Sequence, residues 1–262
     1  NGVAQAWHVS FKTCCMRQIV LSLLVCLGLS ACGPRGLVRS EFAGRSTEGP
    51  KKVLIVPADF VITEVTFGKT EERVVPAERQ AANTLTKHVL ALGQKQSAFT
   101  VVDFAKLPKP HQEVLLQHRS LFATMVSQLL LVKEDAVDVW ETKQQYFDYS
   151  LGRGMAEVSA KTGAETAIFI VGKDKVRSTS RKVLDTFATV LPIGESLSAQ
   201  PAAVAVGIVD LRSGDILMFD NEMATRKALT DDADVQAMGE AVLTDFRDTL
   251  KNRESGKAGG AQ

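Results

Sequence analysis

Cysteine is scarce in this sequence and is confined to its start. The 262 residues hold four cysteines, of which Cys32 is the last. The chain after Cys32 therefore cannot form a disulfide within itself. Its stability has to come from an apolar core, and about 230 residues are enough to build one.

An excess of charge of either sign is also missing. The chain has 31 basic and 30 acidic residues; residues 1–31 contain two of the basic ones, Lys12 and Arg17, and none of the acidic ones. The remainder is close to neutral and lacks the basic excess that is typical of nucleic-acid-binding domains. We therefore expect no nucleic-acid partner.

The longest apolar run, 19–29, is too short to span a membrane, because a spanning helix needs roughly 20 apolar residues. It follows Met16 and Arg17 and ends in Leu29-Ser30-Ala31-Cys32. A basic residue, a short apolar run and small residues in this order form a secretory signal. The last four residues resemble the lipobox of bacterial lipoproteins, which implies cleavage before Cys32 and lipid on its thiol. The alternative is an ordinary signal with a chance cysteine.

This start divides the chain. Gly33 stands where lipoproteins that stay at the inner membrane usually carry aspartate, so the resemblance implies the periplasmic side of the outer membrane, with the inner membrane as the alternative. We predict an upstream extension at 1–15, a lipoprotein signal peptide at 16–31, a flexible tether at 32–50, one domain at 51–250 with an insertion at 172–201, and a disordered tail at 251–262.

The spacing of apolar residues predicts the elements of the domain. The first helix should end at Gly93, and the second, 111–132, has apolar residues spread widely enough for burial on more than one side. Asp148 or Ser150 should cap the third helix. The predicted strands are 52–56, 61–67, 71–75, 99–102, 166–171, 203–211 and 215–221, and the predicted helices are 77–92, 111–132, 151–162 and 231–250.

This order predicts an α/β fold of the α+β kind, a mixed central sheet with helices packed on it. The run 166–171 is continuously apolar, as in a central strand that is covered on both faces. The last two strands are joined by Arg212-Ser213-Gly214, where Gly214 suits a left-handed turn position that asparagine would also tolerate.

One part of the domain resembles a known family. The sequence KTGAE before the central strand, and VGIVDLRSGDILMF across the hairpin, resemble the periplasmic domain of the curli-secretion channel lipoprotein family (CsgG-like). They are also similar to the amino-terminal domain of TolB. The specific match covers Thr162 to Phe219 and implies a TolB-amino-terminal-domain-like sheet and a role in a surface-assembly or export complex. The membrane-spanning hairpins of the channel family are not evident in this sequence.

Three patterns suggest chemistry, but each has a better structural interpretation. His111 and His118 form one loose pair, whereas a metal site needs three or four converging ligands, so we expect both to be solvated surface histidines. Gly152-Arg153-Gly154 lacks the further glycine and the lysine of a phosphate loop. The acidic run 231–234 fits the start of a helix better than a calcium site, because acids stabilise the positive end of the helix dipole. We therefore expect no catalytic, cofactor or metal site, and Cys32 is the single predicted site residue.

The resulting hypothesis is a non-catalytic lipoprotein that is anchored to a membrane through Cys32 and acts through protein partners or as a homo-oligomer. Trp140 and 146–149 form an aromatic group that suits packing or a partner surface. The insertion 172–201 contains an amphipathic stretch, 182–191, that should dock on its own domain, a neighbouring subunit or the membrane. The competing hypothesis is an enzyme or small-ligand-binding protein whose site residues are scattered in sequence.

Overall fold

The computed structural model describes residues 36–39, 52–66, 70–96, 100–133, 146–177 and 201–244. All of them belong to the second of two compact units in the chain, which begins at Gly36. The predicted signal peptide, Cys32 and the tail at 251–262 lie outside the described residues. So does the amphipathic stretch 182–191.

The described part of the chain begins with four strands, continues with three helices and one short strand, and ends with three strands and a helix. Pro76 lies in the first turn of the first long helix, where its missing N–H costs nothing. In chain order the elements are β1 (Leu37–Val38), β2 (Lys52–Ile55), β3 (Asp59–Val65), β4 (Glu71–Arg73), α1 (Val75–Gln96), β5 (Thr100–Val102), α2 (Lys109–Lys133), α3 (Ala156–Thr162), β6 (Thr166–Arg177), β7 (Ala202–Asp210), β8 (Ile216–Ala224) and α4 (232–244).

The long strand β6 is paired along both edges. On one side it runs antiparallel to β7, and on the other it runs parallel to β2 in its first half and to β3 in its second half. Pro57 lies in the break between β2 and β3. Proline has no N–H to donate to a neighbouring strand, and a residue between two strands does not need one. The order across the sheet is β1-β8-β7-β6-β2-β5, with β3 beside the second half of β6 and β4 paired to the other edge of β3.

Alternate side chains of β6 feed two apolar layers on opposite faces of the sheet. Ile168 and Ile170 belong to the first layer, and Ala167 and Phe169 to the second. The first layer also holds Leu85 and Val89 of α1 and Val235, Met238 and Val242 of α4; the second holds Leu115, Phe122 and Leu129 of α2 and Met155 and Val158 next to and within α3. The mixed sheet with helices packed on it confirms the predicted fold class, and every residue of 166–171 is buried as predicted.

Two helix predictions are wrong. α1 does not end at Gly93 but continues to Gln96, because a glycine inside a helix costs only about 1 kcal/mol relative to alanine. α2 is not buried on more than one side. Its buried residues lie along one stripe, with Leu115, Phe122 and Leu129 at seven-residue intervals and Val132 one turn further, and Leu121 is 44% exposed.

The predicted cap of α3 is also wrong. α3 follows a 3-10 turn, Arg153–Met155, and Met155 precedes it without a side-chain cap. The Ser150 hydroxyl instead accepts a hydrogen bond from the Gly152 N–H at 3.1 Å. The other end is as predicted, since Gly163 follows α3 in the left-handed conformation with a φ of 68°.

Two predicted loop segments contain strand. β1 lies within the predicted tether, so residues 36–39 belong to the sheet and not to a flexible link. Gly172–Arg177 lies within the predicted insertion, but β6 continues through it because β3 supplies a partner there. The remaining domain limits stay predictions.

The β7–β8 hairpin is confirmed, and Gly214 has a φ of 78°. The position is more restricted than its backbone angle alone implies. A Cβ on Gly214 would lie 1.9 Å from the Gly152 carbonyl oxygen. Asparagine has a Cβ too, so the expected tolerance of asparagine is wrong.

We predict that Gly214→Ala and Gly214→Asn each destabilise the protein by at least about 3 kcal/mol, because the new Cβ meets backbone that cannot move aside. Gly163→Asn is the matched control. It is also left-handed, but a Cβ there would meet only the Lys52 side chain at 3.4 Å. Urea unfolding of the three variants measures the difference. Equal midpoints for Gly214→Asn and Gly163→Asn would contradict the close approach of Gly152.

Candidate functional site

β1 is the described strand that is nearest to Cys32 in the sequence, and it lies at the edge of the sheet. Leu37 is opposite Phe219 and Val38 is opposite Met218, in antiparallel register. The Arg39 N–H adds a hydrogen bond of 2.9 Å to the carbonyl of the residue opposite it in β8. Leu37 packs on the second apolar layer and Val38 on the first. The short strand is therefore held by both layers as well as by its ladder.

A buried ion pair lies where β1 enters the sheet. Asp220 of β8 and Lys133, the last residue of α2, have side chains only 1% and 7% exposed, and they are in direct contact. Lys133 Nζ also donates to Asn221 Oδ1 at 3.0 Å, and the Asn221 N–H donates to Asp220 Oδ1 at 2.8 Å. We call Lys133, Asp220 and Asn221 the edge cluster.

Gly36 packs against the edge cluster. A Cβ on Gly36 would lie 3.1 Å from both Asp220 Oδ2 and the Phe219 carbonyl oxygen. Asp220 Oδ2 itself is buried and has no hydrogen-bond partner among the described residues. The cluster therefore joins three parts of the fold: the end of α2, the middle of β8 and the residue that precedes β1.

The edge cluster was not visible in the sequence. A signal existed at each position, because an aspartate interrupts the apolar run of β8 and a lysine ends the apolar run of α2. Lys133 and Asp220 are 87 positions apart, however, and neither local pattern indicates which residue the charge pairs with. Only the packing of α2 across the sheet brings them together.

Glu78 ties α1 to two strands. Arg73 of β4 donates to both oxygens of Glu78 at 2.9 and 2.8 Å, and the Ile62 N–H of β3 donates at 3.1 Å. Burial acts to raise the pKa of Glu78, but these hydrogen bonds more than offset it and lower the pKa below its ordinary value. Its contribution to stability is present above the ordinary pKa and is lost as the pH falls through the lowered one.

Asp174 of β6 is a buried carboxyl that supports the loop before α4. It accepts a hydrogen bond of 2.7 Å from the Leu229 N–H. Burial raises its pKa although this bond and the Lys175 N–H act against the rise. Because the folded state holds the proton more tightly, stability falls as the pH rises from the ordinary pKa of the group toward the raised one. The hydrogen bond to the loop gives Asp174 a structural role.

His111 and His118 of α2 contact different residues. His118 Nδ1 lies 2.7 Å from the Val114 carbonyl oxygen, and a Cβ on Gly154 would lie 2.6 Å from the His118 ring. His111 Nε2 lies 3.8 Å from Glu157 and is mostly buried, so the expectation of solvated histidines is wrong for it. In the described part of the chain no group of three His, Cys, Asp or Glu side chains could hold a metal ion.

The acidic run caps α4, as predicted. Asp231 Oδ1 accepts hydrogen bonds from the Ala233 and Asp234 N–H groups at 2.8 and 3.1 Å. Asp232 accepts from Thr84 at 2.6 Å and so links α4 to α1. The charges of this run are used in capping and in helix packing.

The aromatic group is only partly described. The rings of Phe147 and Tyr149 lie 6.0 Å apart and pack on the second apolar layer, whereas Tyr146 is 64% exposed. Trp140 lies outside the described residues.

No protein-family model matches the chain, and no curated protein matches it. Among solved structures, the PelC dodecamer from Paraburkholderia phytofirmans is 9% identical over 80% of this chain and 96% of that chain, with a TM-score of 0.31. The LpoB C-terminal domain from Salmonella enterica is 12% identical over 71% of this chain and 90% of that chain, with a TM-score of 0.25. These likenesses are too weak to show a common function. The resemblance to the curli-secretion channel family stays a prediction.

Among the residues that the structure describes, no helix combines the length and the apolar content that crossing a membrane requires.

We predict that Lys133→Met destabilises the protein by about 3–5 kcal/mol, because it leaves the buried Asp220 carboxylate without its counter-charge. The double variant Lys133→Met/Asp220→Asn should recover at least half of that loss. Lys106→Met is the control, since Lys106 is 84% exposed and its pairing with Asp103 is solvent-screened. Urea unfolding gives the three values. A double variant that is no more stable than Lys133→Met alone would contradict the coupling.

Proposed function

We propose that this chain is the precursor of a lipid-anchored envelope lipoprotein. Its mature form starts at Cys32, is held on the periplasmic side of the outer membrane, and acts through protein contacts without catalysis. The observation that carries this proposal is the lipobox-like Leu29-Ser30-Ala31-Cys32 at the end of a short apolar run behind a basic residue.

The start of the fold supports the proposal. The first described strand of the sheet begins at Leu37, and the preceding residue, Gly36, packs on the edge cluster. Four residue steps separate Cys32 from Gly36, which gives a reach of about 14 Å at most for an extended chain. A mature protein cut before Cys32 thus loses no residue of the described sheet.

The roles of the buried charges support a non-catalytic protein. In the described ranges the buried carboxylates are Glu78, Asp174 and Asp220, and each binds a backbone N–H or a basic side chain that holds two elements together. A catalytic acid or base needs a group that can reach a substrate proton. These three groups are instead used in linking strands, helices and loops.

Exposed apolar side chains support action through contacts. Leu121 on α2 and Tyr146 before α3 are 44% and 64% exposed. Tyrosine is enriched among the residues that anchor protein interfaces, and an exposed leucine adds apolar area that a partner can cover. A surface-assembly or export role rests on the curli-secretion resemblance of Thr162 to Phe219 alone.

We predict that mass spectrometry of the membrane fraction finds an acylated peptide that begins at Cys32. Each buried methylene contributes about 0.8 kcal/mol, so several acyl chains give stable attachment. Cys32→Ser should yield a soluble protein or an uncleaved precursor, while Cys26→Ser, the matched control, should leave the anchor intact. Density fractionation of the membranes separates outer from inner membrane. An unmodified mature protein that starts at another residue would sink the anchor hypothesis.

Protein contacts are tested on the same membranes. Crosslinking followed by mass photometry should detect species larger than one chain, and Leu121→Asp should reduce them at least threefold without changing the Tm of the monomer. Val75→Asp is the control, because Val75 is exposed to a similar extent, 40%, on a different helix. A single monomeric species from wild-type membranes would contradict action through stable protein contacts.

A further inference from the structure

The direction of β1 shows from which side the chain enters the sheet. β1 is antiparallel to β8, with Leu37 opposite Phe219 and Val38 opposite Met218. Moving upstream along β1 therefore means moving toward the carboxyl end of β8. Gly36 therefore lies on the side of β1 that faces the end of the sheet where β8 finishes at Ala224.

Other strands finish or begin at this same end. Ala202, the first residue of β7, is opposite Ala224, the last residue of β8. Arg177, the last residue of β6, is opposite Val65, the last residue of β3. The end of the sheet toward which β1 leads upstream is thus shared by four neighbouring strands.

At this end α2 leaves part of one sheet face uncovered. The last row of residues beneath α2 is Asp59, Val171, Ala205 and Asn221, which are cross-strand neighbours. Arg119 of α2 pairs with Asp59 at 3.4 Å, and Lys133 of α2 binds Asn221 at 3.0 Å. α2 therefore covers this row at both of its ends.

The next row on the same face is open. It consists of Val61, Lys173, Ala203 and Met223, which are again cross-strand neighbours, and we call it the open row. Val61 is 37% exposed, Met223 is 47% exposed and Lys173 is exposed. On the opposite face Phe60 and Val204, which lie between these rows, and Ile62, just beyond the open row, are buried in the first apolar layer. The exposure is thus specific to one face.

The composition of the open row suits a lipid headgroup region. Two apolar side chains lie at its ends, and between them a lysine has a long apolar stem with a charged tip that can reach headgroup phosphates. Lys175 lies two residues further along β6 and is paired with Glu71. Lys173 is therefore the charged residue that the open row itself contributes. The free energy falls when apolar side chains that were exposed to water enter the interface of a bilayer.

We propose that the open row lies against the surface of the membrane that holds the lipid anchor. This inference rests on the proposed acylation of Cys32. The anchor can lie no further than about 14 Å from Gly36, and Gly36 packs on the neighbour of Asn221, which belongs to the adjacent row. A domain held this closely cannot turn its anchored end away from the bilayer. The end with the open row is the one that meets the lipid.

Fluorescence quenching tests the orientation. After cleavage Cys32 is the only cysteine, and acylation blocks its thiol, so Met223→Cys creates one reactive position. Arg212→Cys is the matched control, because Arg212 is exposed in the turn at the opposite end of β7 and β8. Each variant is purified with its lipid, placed in phosphatidylethanolamine–phosphatidylglycerol vesicles, and labelled with an environment-sensitive maleimide.

We expect a headgroup-region spin-labelled lipid to quench the label at Met223→Cys at least twofold more than the label at Arg212→Cys. Aqueous iodide should quench the two in the reverse order. A label at Val61→Cys, at the other end of the open row, should be quenched like the label at Met223→Cys. Val61→Cys replaces Met223→Cys if the Met223→Cys variant folds poorly.

Each other result identifies what is wrong. Equal lipid quenching at Met223→Cys and Arg212→Cys would overturn the inference and leave the anchor intact. A Met223→Cys label that neither lipid nor iodide reaches would mean that protein covers the row, either residues 178–200 or a second copy, and would overturn it as well. Labelling of the parent protein at Cys32 would overturn the proposed acylation, and this inference with it.

Discussion

The rest of the domain depends on the double pairing of β6. Its antiparallel edge binds β7 and its parallel edge binds first β2 and then β3, so two separate segments are aligned by one strand. Its alternate side chains also supply both apolar layers. The pairing of β6 with β3 requires glycine at position 172, because a Cβ on Gly172 would lie 2.1 Å from the Phe60 ring. Burial on both faces and both edges explains why the strand is apolar through 166–171.

Buried charges position the helices on this sheet. Glu78 links α1 to β3 and β4, Asp174 holds the loop before α4, and Asp220 receives the end of α2. A buried ion pair such as Lys133–Asp220 adds little stability compared with well-packed apolar residues, since desolvation offsets much of the attraction. Its effect is positional, because the charge at the end of α2 has one place where it can be neutralised.

The two ends of the sheet differ. At the turn end, Gly214 and Gly152 are in backbone contact and the Leu151 N–H binds the Gly214 carbonyl, so the β7–β8 hairpin is fastened to the segment before α3. At the other end, the open row lies beyond α2 with Val61 and Met223 exposed. β1 enters from that second end. A lipid anchor a few residues upstream would therefore act on the end of the sheet that the helices leave open.

The sequence by itself determined most of the elements but not all of their ends, because most depend on local patterns: the continuous apolar run of β6, the helical spacing in α1 and α4, the Asp231 cap and the Gly214 turn. It also contains the predicted lipobox at Cys32, which needs no fold to be read. It could not assign residues 36–39 to the sheet, since two residues of strand carry no periodic pattern and gain their place only from β8. Nor could it pair Lys133 with Asp220 or distinguish the covered row from the open one. Those contacts join residues far apart in the chain, and their geometry is set by the path of α2 across the sheet, which tertiary packing alone decides.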